Sequence, residues 1–158
     1  MIAYVGLGAN LGDAVATLNA ALGALAALPS TQLLLRSSFY ATAPVDATGP
    51  TFTNAVASMS TILAPIELLR HLQSIENDHG RQRPYRNAPR TLDLDLLMMG
   101  DVTMRTAELT LPHPRLHQRA FVLVPLLEIA PGCIVPGLGR ASDLLISVAD
   151  QGIHRLTT

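Results

Sequence analysis

Leu92-Asp93-Leu94-Asp95-Leu96-Leu97-Met98 alternates apolar and acidic residues at its start, the period-two pattern of a strand with one buried face. Leu92, Leu94 and Leu96 fall on one side, and Asp93 and Asp95 share the other. Working back from this strand, a polar, arginine-rich loop spans 81–91 and Gly80 stops a helix. That helix opens at Pro65 and carries Ile66, Leu69, Leu72 and Ile75 at helical spacing through about Asp78. Further back lie a strand at about 52–61, a turn-rich loop from Pro44 to Pro50, and a strand from Leu33 to Tyr40. A helix capped by Asp13 shows the stripe Val15, Leu18, Leu22 and Leu25 and closes before Pro29, and residues 2–8 make a first strand ending at Gly8. The order β-α-β-β-α-β predicts an α/β (α+β) fold of the ferredoxin-like split βαβ kind: a mainly antiparallel sheet with two helices on one face. Downstream we expect a short strand near 102–104 and added C-terminal helices at about 119–129 and 141–149. At 158 residues, one domain spanning 1–158 accommodates all of this.

Composition narrows the function. The net charge of −1 supplies no general attraction to nucleic acid or an anionic membrane, so any polyanion must be met locally. All eleven basic residues are arginine, and Arg81, Arg83, Arg86 and Arg90 precede the acidic strand, with Arg115 and Arg119 following it. Without lysine there is no Schiff base and no phosphate-loop lysine; guanidinium groups favour bidentate contact with phosphate oxygens. The single cysteine, Cys133, allows no internal disulfide and suits a reducing, cytoplasmic setting. The chain starts Met1-Ile2-Ala3-Tyr4 with no basic leader, and its apolar runs are short of a membrane span, so neither secretion nor insertion is expected.

The chemistry concentrates around Asp93-Leu94-Asp95. Two carboxylates held side by side repel unless a cation neutralises them, and oxygen-only ligands beside phosphate-binding groups suit Mg2+. Asp-x-Asp is also an ordinary pattern on a solvated sheet face, and Arg90 is equally able to form structural ion pairs with both aspartates. His113 and Arg119, within Pro112-His113-Pro114-Arg115-Leu116-His117-Gln118-Arg119-Ala120-Phe121, are candidate phosphate contacts, and Phe121 offers a flat face for a ring. Gln73 and Glu76, three apart on a helix, share a face. Gly6, Gly8 and Gly12 miss the G-x-G-x-x-G spacing of a dinucleotide loop by one position and lack its acidic partner, so Gly6 and Gly8 read as close-packing or turn positions. No H-E-x-x-H zinc motif occurs, and Ser37 and Ser38 lack the glycines of a hydrolase elbow.

Pro89-Arg90-Thr91-Leu92-Asp93-Leu94-Asp95-Leu96, together with Leu111-Pro112-His113-Pro114 and Arg119-Ala120-Phe121, resembles the 6-hydroxymethyl-7,8-dihydropterin pyrophosphokinases. Gly8-Ala9-Asn10-Leu11-Gly12 and Thr42-Ala43-Pro44 ahead of Phe52-Thr53-Asn54 extend the similarity in unbroken order from about residue 2 to 136. The resemblance implies transfer of pyrophosphate from ATP to the hydroxymethyl group of a reduced pterin, with release of AMP, in folate biosynthesis. It assigns Asp93 and Asp95 to two Mg2+ ions, and Arg81 and Arg90 to a lid closing over the phosphates. Gln73, Glu76, Arg83, Leu96, Thr110, His113 and Arg119 fall to ATP, with Leu96 offering backbone groups to adenine. Phe52 and Phe121 would sandwich the pterin, while Asn54 and the backbone around Thr42, Pro44 and Val45 read its polar edge. A monomer is expected, with small-molecule substrates and no nucleic-acid or membrane partner. Asn87-Ala88-Pro89-Arg90 stands where many members carry an aromatic residue, which leaves a lid contact to the pterin open; Phe52 replaces a frequent tyrosine, and Pro114 a frequent ring.

Two readings from other classes compete. A ferredoxin-like RNA-binding module needs aromatic residues interleaved on its sheet strands, and three tyrosines and three phenylalanines are few for that. A metal-dependent nuclease using Asp93 and Asp95 needs further acidic ligands and a positioned base, which the sequence does not display.

Overall fold

The computed structural model describes residues 1–10, 13–42, 51–79 and 92–157. The chain begins with β1 (Ile2–Ala9) and α1 (Ala14–Ala26). Asp13 caps α1 by accepting a hydrogen bond from the Ala16 amide at 3.1 Å, and Leu18, Ala21, Leu22 and Leu25 form its buried stripe. Next come β2 (Thr31–Arg36), β3 (Tyr40–Thr42), β4 (Phe52–Thr61), α2 (Pro65–His79) and β5 (Asp93–Met99). At the start of α2 the Glu67 carboxylate accepts from the Ala64 amide at 2.9 Å, the reciprocal half of a capping box. The helix buries Leu68, Leu72, Ile75 and Glu76, so Leu68 rather than Ile66 or Leu69 lies deepest.

The central sheet runs β10-β3-β4-β1-β5 with every pair antiparallel, and β2 pairs the far half of β4. Taking β2 and β3 together as one edge, this is the order that the split βαβ reading requires. The edge expected as one strand from Leu33 to Tyr40 is broken at Ser37. There Ser37 donates its own amide to the Val56 carbonyl at 2.8 Å, and its hydroxyl accepts from the Val56 amide at 2.9 Å. A side chain thus replaces a backbone acceptor, and the strand resumes at Tyr40 opposite Asn54.

Strand alternation sends Ala3, Val5, Leu7, Ala55, Ala57, Met59, Leu94 and Leu96 into one core with α1 and α2. On the opposite face Val56, Leu97 and Met98 pack under α3 (Ala120–Ile129), supported by Leu116, Val135, Ala141 and Val148. An RNA-binding sheet would expose that second face, and here α3 covers much of it. The C-terminal part is more finely divided than the sequence suggests. β6 (Met104–Arg105) pairs β7 (Thr110–Leu111), β8 (Ile134–Val135) pairs β9 (Gly139–Arg140), and α4 covers only Ala141–Leu145 before a short 3-10 turn. β10 (Ile153–Arg155) returns to pair with β3, adding an unexpected edge strand to the sheet. No helix among the described residues is long and apolar enough to cross a membrane.

Candidate active site

Among the described residues the α3 face of the sheet is uncovered at one end, and the cross-strand register decides what meets there. Asn54 on β4 lies opposite Gly8 on β1, which lies opposite Asp93 on β5; Gly6 lies opposite Asp95. Because β1 contributes glycines to this row, no side chain rises between Asn54 and the two aspartates, and a cavity of about 330 Å³ opens above them. Its walls include Thr42, Phe52 and Asn54 on one side, Asp93 and Asp95 on the other, and His113, Arg119 and Phe121 from the chain leading into α3.

Of the residues that the resemblance assigns to the pterin, Thr42, Phe52, Asn54 and Phe121 line this one cavity. Phe52 and Phe121 are half-buried and line the same space, whereas the third phenylalanine, Phe39, is packed in the core. Thr42 and Asn54 are each only 7% exposed, and the Thr42 hydroxyl donates to Asn54 Oδ1 at 2.8 Å. Pro44 and Val45 lie outside the described residues.

A second depression of about 250 Å³ lies on the other side of Asp95, lined by Leu69, Leu96, Thr110 and Pro114 among others. Asp95 and His113 border both cavities. Leu96 and Thr110 belong to the second alone of these two, and Leu96 is 2% exposed. At its rim Arg70 and Glu108 form an exposed ion pair of 3.1 Å, which contributes little to stability. Gln73 is exposed on α2 and borders neither cavity. Glu76 is buried, and its Oε2 accepts from the Leu94 amide at 2.8 Å, tying α2 to β5 beside the aspartates. Arg81, Arg83 and Arg90 lie outside the described residues.

Charge at the junction is graded. Arg119 places a guanidinium nitrogen 4.0 Å from Asp95 Oδ2, with its Cζ 5.4 Å from the centre of the Phe121 ring. His113 Nδ1 accepts the Arg115 amide hydrogen at 3.1 Å, so a neutral ring carries its proton on Nε2. Burial pushes the His113 pKa below its ordinary value; Asp95 opposes that shift, and Arg119 and Arg115 add to it. Among the described residues no group of three or more His, Cys, Asp and Glu gathers in metal-binding geometry. Asp93 and Asp95, partly exposed on one face of β5, offer oxygen donors only, the donor type that could hold Mg2+.

Sequence reasoning took Gly8 as a close-packing or turn position, without placing it at the candidate site, and assigned Thr42 through its backbone alone. Gly8 was correctly read as a close-packing residue: a Cβ there would lie 3.0 Å from Asn54 Nδ2. Its place in the site follows from alternation with Gly6 along β1, but only once β1 is known to lie between β4 and β5.

Residues 4–131 match the family model for 7,8-dihydro-6-hydroxymethylpterin-pyrophosphokinase. The chain belongs to this family. It is 43% identical over 155 residues to the 2-amino-4-hydroxy-6-hydroxymethyldihydropteridine pyrophosphokinase of Haemophilus influenzae, covering 98% of this chain and 97% of that protein. The enzyme of the same name from Pseudomonas aeruginosa is 42% identical over 154 residues, covering 97% and 95%. Among solved structures, an HPPK-DHPS in complex with substrates superposes with a TM-score of 0.74 at 13% identity. This chain is covered to 93% and spans 43% of that longer one. The wild-type HPPK-DHPS of Plasmodium falciparum gives 0.72 at 14% identity, with 93% and 41% covered. At such identities these structures speak for the fold alone, while the pyrophosphokinase family assignment rests on the model match and the close relatives.

Proposed function

We infer that this chain transfers a pyrophosphoryl group from ATP to the hydroxymethyl group of 6-hydroxymethyl-7,8-dihydropterin, yielding the pterin diphosphate and AMP for folate biosynthesis. The observation that carries the reading is two cavities, one walled by aromatic rings and a buried amide, that meet at Asp95 and His113. In the larger, Phe52 and Phe121 stack on the pterin, and Asn54 and the backbone around Thr42, Pro44 and Val45 read its polar edge. ATP occupies the smaller, against Leu96 and Thr110, with Gln73, Glu76 and Arg83 assigned to the nucleotide by the family resemblance.

The pterin hydroxymethyl oxygen attacks the β-phosphorus, the bond from that phosphorus to the α,β-bridging oxygen breaks, and AMP departs with the bond's electrons. Asp93 and Asp95 would hold Mg2+, two ions in this reading, which when bound would supply charge neutralisation at the phosphates. Arg119 and the Nε2–H of His113 donate to phosphate oxygens, a role that the neutral ring fills without acting as a base. Arg81 and Arg90 close over the phosphates from the 81–91 segment, excluding water while the donors hold the reacting atoms in line. The hydroxymethyl proton leaves to solvent or phosphate oxygen rather than to a strong protein base. The same reading takes 1–158 as a single domain that acts as a monomer in the cytoplasm, the family-based expectation.

The test is AMP release with ATP, Mg2+ and the pterin, beside Asp95→Ala. AMP that forms only when the pterin is present, and is lost in the folded variant, is the expected result; no AMP from the folded wild type would remove the assignment.

A further inference from the structure

We propose that the Thr42 hydroxyl and the bare Cα of Gly8 are positioning elements for pterin recognition: together they fix which end of the Asn54 amide faces the ring. This rests on reading the larger cavity as the pterin site. Asn54 sits on β4 between its two neighbours, opposite Tyr40 of β3 on one side and Gly8 of β1 on the other. Its Oδ1 receives the Thr42 hydroxyl hydrogen at 2.8 Å, and both residues are buried. Its Nδ2 lies over Gly8, 3.0 Å from where a Cβ would stand. The amide is therefore held on one side by a hydrogen bond and admitted on the other by the absence of a side chain.

The consequence is chemical. With Oδ1 engaged by Thr42, the amide presents N–H donors toward the cavity, and a ring is accepted when it places a carbonyl or ring-nitrogen acceptor there. An amide turned by 180° would present an acceptor and ask the opposite of its ligand. Leaving such a buried polar group mismatched is what gives a hydrogen-bonding site its discrimination. Thr42 acts through its side chain here, independently of any contact its backbone makes. Gly8 matters because 3.0 Å is tighter than ordinary contact for an alanine methyl, so Gly8→Ala makes the amide give by a few tenths of an ångström and disturbs this pose.

Steady-state kinetics of AMP release tests this, varying pterin and ATP separately. Thr42→Val keeps the shape and removes the donor; the pterin KM should rise about three- to tenfold, the loss of one net hydrogen bond, while the ATP KM stays put and the unfolding midpoint falls modestly, because a buried acceptor is left unpaired. Thr42→Ser restores the donor and should restore the pterin KM. Gly8→Ala should raise the pterin KM at least as far. In an Asn54→Ala background, Thr42→Val should have no further effect, because the group it orients is gone. A pterin KM unchanged in Thr42→Val, or an effect that persists without Asn54, or a Thr42→Ser as impaired as Thr42→Val, overturns the inference while the enzyme assignment stands. If Thr42→Val fails to fold, Gly8→Ala decides alone, by whether its pterin KM moves while its ATP KM does not. Absence of AMP from the wild type strikes the assignment instead.

Discussion

At the scale of single residues, the site divides into what alternation reveals and what only register reveals. Asp93 and Asp95 were legible because two residues apart on a strand means one face, whatever the neighbouring strands do. Phe121 and His113 were legible as chemistry-bearing types near the second arginine cluster, though nothing in spacing said that they would meet the aspartates. Asn54, Gly8 and the Thr42 hydroxyl were out of reach for spacing, because their meeting depends on β1 separating β4 from β5, a non-local pairing. Two residue-level predictions follow from the walls of the larger cavity. Asp95→Asn keeps the side-chain shape and removes the charge beside Arg119, so AMP release should fall by at least about a hundredfold, on the order of one preorganised electrostatic contact, with the fold retained by circular dichroism. Phe121→Ala removes one stacking face and should raise the pterin KM about five- to a hundredfold, the range for loss of aromatic stacking on a base. Its ring also underlies Arg119, so a simultaneous rise in ATP KM would report that guanidinium coming loose.

At the scale of elements, β1, β4, α2 and β5 stand within one or two residues of where apolar spacing and punctuating residues put them, and α3 starts and ends close to its expected bounds. The two misreadings in the central sheet share a cause, since both involve a partner distant in sequence. The 33–40 strand breaks because the Ser37 hydroxyl bonds Val56, and β10 exists because β3 offers it an edge. The same dependence appears in the joint between α3 and the β2–β3 edge, where an exposed residue near the helix end, Glu128, accepts from the Ser38 amide at 3.0 Å, the Ser38 hydroxyl at 2.8 Å and the Tyr40 hydroxyl at 2.6 Å. Burial pushes the Glu128 carboxyl up, but the bonds from Tyr40 and Ser38, with Arg155, outweigh it and leave the pKa below its ordinary 4.5. Burial, then the bond to Glu128, pushes the Tyr40 phenol up to about 12. A depressed carboxyl stabilises above its unfolded value and loses that contribution as pH falls through the folded pKa. A raised phenol stabilises below 10 and loses its contribution as pH rises toward about 12. The joint should therefore be strongest from pH 4.5 to 10. Melting curves of wild type and Glu128→Gln should differ most within that window and converge as pH falls below 4.5.

At the scale of the whole molecule, one sheet separates two cores and leaves a single end of one face open, so stability and function are assigned to different parts of the same layer. The α1–α2 side was legible because both helices carry clean apolar stripes. The α3 side was legible as a helix but not as a second layer, because its sequence is apolar nearly all round and contains Pro125, which gives no periodicity to aim it. Its packing is nonetheless tight: Leu123 and Leu126 have no exposed surface, and Leu126→Ala should cost about 2–5 kcal/mol, read as an unfolding midpoint shift in denaturant with little change in slope. Ligand binding draws on the other end of that layer. If the carboxylate pair recruits metal and nucleotide to the junction, Mg2+ with ATP binds the folded state alone and raises its stability by mass action. At a hundredfold excess over Kd the gain is about 2.7 kcal/mol, which for a chain of this length corresponds to roughly 5–10 °C in Tm. Asp95→Ala should melt close to wild type without ligand, since Asp95 is half-exposed, yet lose most of the shift with Mg2+ and ATP. A full shift retained in Asp95→Ala and undiminished by a chelator would mean that nucleotide binding does not pass through this pair, and the junction of the two cavities would have to be reassigned.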